Sequence, residues 1–290
     1  MSQNGAKLRL YKLRILWRGL LMNGCTQGSM VTGIRSKRYP ECESYGILIS
    51  SRCDLANEKI NKVFYLQACP FEQWITSNVA FKMFAVDLIK DLERKIKSVL
   101  DEKDLDWEVL KLFSEEDFET VTSMPENDIY SRIKDDYIKY KRYTSSTLSV
   151  EEKRMLLPEI KSKASEICSN VVSGKNLHYT FLPGIAIGRE KSIGSGFLID
   201  HQELDFMTLD TLKKVQDGKM DDKNFDLTQK DKEFYNEKFK ILEAPGFALL
   251  DGSVESPWIE YLLQRFSNSF SRIGVDLPNK KEIKEYINGF

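Results

Sequence analysis

The chain has 290 residues, of which 41% are hydrophobic and 30% charged, and its net charge is −1. This composition is typical of an ordered globular protein with one elaborated domain or two, and it excludes a disordered chain. No apolar run is long enough to cross a bilayer, no secretory signal is recognisable, and the five cysteines are irregularly spaced, so we expect reduced thiols, a cytoplasmic location and no membrane contact.

The charge is unevenly distributed, because residues 1–40 contain eight cations and no acid while the remainder carries −9. An apolar side chain recurs every three or four positions from Leu13 to Leu21, which predicts a basic amphipathic helix over residues 1–23. We expect this face to bind a partner through the following residues: Lys7, Arg9, Lys12, Arg14, Trp17 and Arg18. The alternative is a solvated face that meets acidic helices of the same chain.

Short apolar and β-branched runs follow, separated by Gly, Pro, Ser and Asn, at 30–34, 45–50 and 63–68. Such runs predict strands. Strand signals return after Gly174, with one short helix at 208–216. Residues 24–77 and 174–255 are therefore predicted to form one discontinuous β-barrel-like domain.

Helical periodicity dominates residues 78–173, which we interpret as an insertion into that domain. Ser149 and Glu152 have the spacing of a capping box, and Pro158 should divide the helix that follows. Residues 256–290 predict two further helices, the first with Ser256 as its N-cap. The predicted fold class is α+β: a small β-barrel with a long helical insertion and C-terminal helices.

Motifs at both ends carry a family resemblance. Near the front, Gln27-Gly28 is followed by "GILISSRCDLAN" and "VFYLQACP"; near the end stand "HYTFLPG" and "SPWIEYLLQRFSNSFSRIG". This order resembles an uncharacterised group of bacterial proteins with "ISQ-CD" and "SP…QRF…RIG" motifs, found with mobile elements and antiviral-defence operons such as the ABC three-component systems. The resemblance implies an accessory subunit with a protein partner from the same operon.

The front segment also resembles the small SH3-like barrel of MazF/PemK-type toxins, whose strands follow the same order. Ser29 stands where the toxins have an Asp, and no arginine immediately precedes the strand that includes Ile47. The resemblance therefore implies the fold without the ribonuclease chemistry.

Cys53 is the candidate nucleophile, because it follows a predicted strand and is itself followed by Asp54. A thiolate nucleophile needs a base within hydrogen-bond reach and a group that orients the base. The chain has only two histidines, His178 and His201, and we take His178 as the candidate base, with Asp54 or Asp200 as the group that orients its ring. The alternative interpretation is a small cysteine in a turn and a structural histidine.

Metal and nucleotide sites are not expected. Cys42, Cys53 and Cys69 are too widely spaced for a structural zinc site. The Gly194-Ser195-Gly196 segment lacks the strand-to-helix context of a nucleophile elbow and predicts a hairpin, and no phosphate-binding loop occurs. We therefore expect no cofactor.

Arg265 and Arg272 lie seven residues apart on the first C-terminal helix and could contact phosphates or an acidic partner. The alternative is a pair of arginines that hold the helix to acidic loops at Asp251 or Asp276. The sequence thus favours a non-catalytic binding subunit, with protein as the expected partner and nucleic acid as the alternative one. A Cys/His-dependent hydrolase or nuclease-toxin effector that uses Cys53, Asp54 and His178 is the competing function.

Overall fold

Six antiparallel strands form one curled sheet, a half-barrel, in the order β4-β5-β3-β2-β1-β6. The structure is a computed structural model that describes residues 25–122, 128–187, 196–217, 238–239 and 248–270. The strands are β1 (Ser29–Val31), β2 (Tyr45–Leu48), β3 (Lys62–Pro70), β4 (Tyr179–Leu182), β5 (Phe197–Thr208) and β6 (Leu250–Ser253).

The pairing of β3 with β5 is the longest in the sheet and runs from Lys62 opposite Thr208 to Pro70 opposite Phe197. The register shifts within this pairing: Leu66 lies opposite Leu204, and Ala68 lies opposite Ile199. A step of two residues on β3 therefore corresponds to a step of five residues on β5. An irregularity of this kind bends the strand and re-aims its side chains. It brings polar side chains of β5 into the middle of the sheet.

Helices make up the regular structure between β3 and β4 in the described part of the chain. The helices of the molecule are α1 (Arg52–Ala56), α2 (Phe71–Ile75), α3 (Asn78–Leu100), α4 (Trp107–Leu110), α5 (Glu115–Thr122), α6 (Asp128–Thr144), α7 (Val150–Leu156), α8 (Lys161–Val172), α9 (Leu209–Gln216) and α10 (Trp258–Phe270). Short 3₁₀ turns lie at Asp101–Lys103, Leu157–Ile160 and Gly184–Ile187.

Local sequence explains where these helices begin and end. Ser149 accepts a hydrogen bond from the Glu152 amide, and the Glu152 carboxylate accepts one from the Ser149 amide, so the predicted capping box is confirmed. Pro158 lies in the 3₁₀ turn that separates α7 from α8, as its missing amide requires. The short helix predicted near residue 208 is also confirmed as α9, with Thr208 as its N-cap.

The sheet packs on helices at both of its faces. On the inner face, side chains such as Tyr65, Cys69 and Phe181 meet α1 and α9 at one end and α2, α3 and α8 at the other. On the outer face, Ile47, Leu66 and their neighbours pack against α10. Alternation along the strands produces these two faces, because successive side chains point in opposite directions.

The mixed α+β class is confirmed, but the sheet is a half-barrel rather than a closed barrel. Three local expectations need correction. The segment with Cys53 is a helical turn, α1; β1 ends at Val31, two residues before Gly33 with its positive φ of 72°; and α10 begins at Trp258 rather than directly after Ser256. The predicted helix at 1–23 and the last predicted helix lie outside the described residues.

No helix in the described ranges has the length and apolar character needed to span a membrane.

Candidate functional site

Cys53 and Asp54 lie in α1, which follows β2. The Ser51 hydroxyl accepts a hydrogen bond from the Asp54 amide at 3.2 Å and donates one to the Asp54 carboxylate at 2.7 Å. The Cys53 side chain is exposed, and its carbonyl accepts from Asn57. Ser51 is therefore the N-cap of α1 and Asp54 is the acid in its first turn, a structural role that explains the acid after the cysteine.

His178 lies at a different end of the sheet. It is exposed, its amide donates to Asn176 Oδ1 at 2.9 Å, and its carbonyl accepts from the His201 amide at 2.9 Å. The α1 helix packs through Leu55 into the same core cluster as Met207. Met207 lies opposite Val63 of β3, whereas Ile199, two residues before His201, lies opposite Ala68, so these two ends of the pairing are five β3 positions, or roughly 17 Å, apart. The structure thus does not bring Cys53 and His178 together.

His201, the other histidine, is a core residue. Its Nε2 lies 2.8 Å from the Thr180 hydroxyl, and its ring meets Phe266 of α10 edge to face. Burial lowers the pKa of His201 to about 4, so the ring is neutral at physiological pH. Its contribution is packing between β5 and α10.

The cysteines provide no metal site. Cys42 and Cys69 are buried and hydrogen-bond to each other, and this contact together with burial raises the pKa of Cys69 well above its usual range. Cys53 is remote from this pair and exposed. Among the residues that the structure describes, no group of three or more His, Cys, Asp or Glu side chains is placed to hold a metal ion.

The irregular part of β5 carries a buried polar cluster, which we call the Asp200 lock. The Asp200 carboxylate accepts from the Tyr39 hydroxyl at 2.7 Å, from Arg38 Nη1 at 2.8 Å and from the Gln202 amide at 2.9 Å. Asp200 is only 2% exposed, whereas the Arg38 side chain is 31% exposed. Burial and the Asp200 charge raise the pKa of Tyr39, so its hydroxyl remains a donor.

Glu203 extends this cluster by accepting from the Ser36 hydroxyl at 3.1 Å. Burial raises the pKa of Glu203, and the nearby Asp200 charge adds to the shift. A carboxyl with a raised pKa beside an arginine is a combination that acid–base chemistry can use. Here, however, the adjoining hollow has a volume of about 10 Å³, close to that of one water molecule. The cluster therefore holds the loop between β1 and β2 onto the sheet and has no room for a substrate.

A second hollow in the described part of the chain lies among α6, α7 and the 3₁₀ turn at Leu157–Ile160. It measures about 170 Å³ and is crossed by the Lys139–Glu159 ion pair. Small-molecule sites usually enclose about 300–1,000 Å³ of mostly apolar space. Neither hollow has the size or the lining of a substrate pocket.

Arg265 on α10 is occupied by contacts within the chain. Its guanidinium donates to the carbonyls of Gly174, at 2.5 Å, of Asn176 and of Tyr179, at 3.1 Å. Gly174 has a positive φ of 72°, and a Cβ there would lie 3.1 Å from the Tyr261 hydroxyl. Arg265 thus holds α10 to another part of the same chain, as the alternative interpretation of this arginine expected. Its acceptors are main-chain carbonyls, however, and not acidic side chains.

The remaining residues predicted to bind a partner lie outside the described residues: Lys7, Arg9, Lys12, Arg14, Trp17, Arg18 and Arg272. Of the eight front cations, Arg35, Lys37 and Arg38 are described, and Arg38 is part of the Asp200 lock. At least one of these charges therefore serves the fold.

Sequence reasoning missed a surface on the outer face, which we call the aromatic patch: Lys62, Phe64, Leu204 and Phe206. Phe64 and Leu204 are each 41% exposed. A signal was present in the sequence, because strict alternation from Lys62 places Phe64 on the same face as that lysine. The run at 63–68 was predicted only as a strand, without assignment of its two faces.

Comparison with protein families, curated proteins and solved structures finds no match to this chain.

Proposed function

We propose that this chain is a non-catalytic binding subunit, an accessory or regulatory component of a bacterial antiviral-defence-type system. It acts in the cytoplasm by engaging a protein partner encoded in the same operon. The resemblance of the front and end motifs supports the defence-type setting. The proposed contact is the basic N-terminal face, with Trp17 and its apolar stripe at the centre.

The separation of Cys53 from His178 supports the non-catalytic part of this proposal. A cysteine nucleophile needs a base at about 2.6–3.2 Å, and the polar groups bonded around Cys53 are Ser51, Asp54 and Asn57, which complete a helix cap. The small size of the described hollows agrees with a protein that works through its surface.

We also infer a relationship between the half-barrel and the SH3/PemK-type barrel. Its support is the order of elements, in which Gly28 precedes β1, α1 lies between β2 and β3, and β3 ends at Pro70. Conversion of such a barrel from cleavage to binding requires only the loss of reactive side chains.

Co-expression of the tagged chain with the products of the neighbouring genes tests the proposal. We expect a stable complex that Trp17→Ala weakens more than the double change Arg14→Gln and Arg18→Gln, because a buried aromatic anchor contributes more than rim charges. Cys53→Ser and His178→Ala should leave biological activity intact. Loss of activity in either variant, with folding retained, would favour the hydrolase function. Salt-sensitive retention of nucleic acid that depends on Arg14 and Arg18 would assign the basic face to nucleic acid.

A further inference from the structure

The aromatic patch is the part of the outer sheet face that lies beyond the α10 contact. Leu66 is buried against the α10 cluster, and Phe64 and Leu204 next to it are exposed. Phe64 lies directly opposite Phe206 across β3 and β5, with ring centroids 6.0 Å apart and planes at 59°. The two rings therefore form one aromatic surface on paired positions of β3 and β5.

Lys62 lies over one of these rings, and Arg52 lies on the helix that follows β2. The Lys62 Nζ lies 4.3 Å from the Phe206 ring centroid, and Lys62 is exposed. Arg52 starts α1 two residues after Ser50, whose hydroxyl accepts from the Phe64 amide at 2.9 Å. In the described part of the chain, neither Lys62 nor Arg52 has an acidic partner.

Three acids on elements that adjoin this surface are paired with other lysines. Glu58 pairs with Lys213 at 2.7 Å and Asp210 with Lys214 at 2.8 Å. Asp205 pairs with Lys238, which also approaches the Phe206 ring. The aromatic patch therefore combines the exposed ring of Phe64 and the half-buried ring of Phe206 with Lys62, which has no acidic partner in the described chain.

We propose that the aromatic patch is a stacking platform for single-stranded nucleic acid. Bases stack on exposed aromatic rings irrespective of sequence, and neighbouring cations follow the phosphates. The rings lie farther apart than the roughly 3.4 Å between successive bases of a duplex strand, so they suit bases that are not stacked on each other. This goes beyond the proposed function, because it assigns a second class of partner to a different surface.

Fluorescence anisotropy of the full chain with labelled oligo-dT and oligo-U tests this. The oligomers should exceed ~16 nucleotides, the upper site size of a single OB fold that binds single strands. We expect single strands to bind, and an unlabelled duplex to compete poorly. Phe64→Ala and Phe206→Ala should each weaken binding about 5- to 150-fold, the range measured for loss of one stacked base. Lys62→Gln should lower the salt slope by about 0.7.

A matched pair of variants separates stacking from general apolar docking. Phe64→Trp keeps a ring and should retain binding, whereas Phe64→Leu keeps apolar area without a ring and should bind as weakly as Phe64→Ala. Leu112, which is 84% exposed on the helical side, provides the control, and Leu112→Ala should bind as the parent chain does.

The proposal is overturned if no single strand binds at low salt, if Phe64→Leu binds as tightly as the parent, or if the duplex competes equally. Binding that only Arg14→Gln and Arg18→Gln reduce would belong to the N-terminal face and would also overturn it. A protein partner that is lost with both Phe64→Leu and Phe64→Trp would identify the patch as a protein-docking surface instead. Circular dichroism of each variant confirms that it is folded.

Discussion

The Asp200 lock and the aromatic patch lie on opposite faces of the same two strands, and each combines cations with aromatic rings. In the lock, Arg38 and Tyr39 meet a carboxylate that is 2% exposed, and every charge has a partner within the chain. In the patch, Lys62 and Phe64 face solvent. Cations and aromatic rings stabilise the fold where a buried carboxylate binds them. Where no buried carboxylate is present, such side chains remain available to a ligand.

The largest expected effect is on the lock. Asp200→Ala should lower the free energy of unfolding by about 3 kcal/mol, because it leaves Arg38 and Tyr39 without their acceptor. Urea denaturation measures this. Lys62→Gln is the matched control in the patch and should change stability by less than about 0.5 kcal/mol. Equal effects of the two changes would remove the distinction between the regions.

The next effect is a pH dependence that originates at His201. Its pKa is near 6.5 in the unfolded chain and about 4 in the folded one, so the unfolded state binds the proton more readily. The stabilisation is complete above pH 6.5 and is lost as the pH falls toward 4, with a loss of about 2 kcal/mol at pH 5. Urea titrations at pH 7.5, 6 and 5 should show this loss for the parent and not for His201→Gln. A parallel decline in both proteins would assign the effect to other groups.

Arg265→Ala should have a smaller effect, about 1.5 kcal/mol. Three carbonyls lose their donor, but those of Gly174 and Asn176 lie in the loop before β4, where water can replace part of the interaction. Arg265→Lys should recover part of it, since one ammonium cannot reach all three carbonyls. If thermal denaturation shows no change for Arg265→Ala, the side chain is available for a partner after all.

The smallest effect on stability should come from the patch itself. Phe64→Ala removes one cross-strand aromatic pair at an exposed position and should cost about 0.5 kcal/mol. The same change should have a large effect on binding of single strands. A stability loss comparable to that of Asp200→Ala would show that Phe64 serves the core.

Local sequence was sufficient for much of the secondary structure. The stripe of α3, which buries Phe81, Phe84, Leu92 and Ile96, follows directly from its periodicity, as do the capping box at Ser149 and the break at Pro158. These features depend on interactions between residues a few positions apart, so their signals are contained in a short window.

Tertiary structure decided the features that bear on function. Cys53 and His178 are 125 positions apart. No local sequence pattern predicts whether the strand pairing places their side chains close together or far apart. Arg38 and Asp200 meet across 162 positions because β5 is irregular where it passes β3. Phe64 and Leu66 are two residues apart and lie on the same face of β3. Leu66 is buried because α10 packs over it, whereas Phe64 lies beyond α10 and is exposed. The sequence by itself therefore determined the elements, and long-range packing determined which charged and aromatic side chains remain available to a partner.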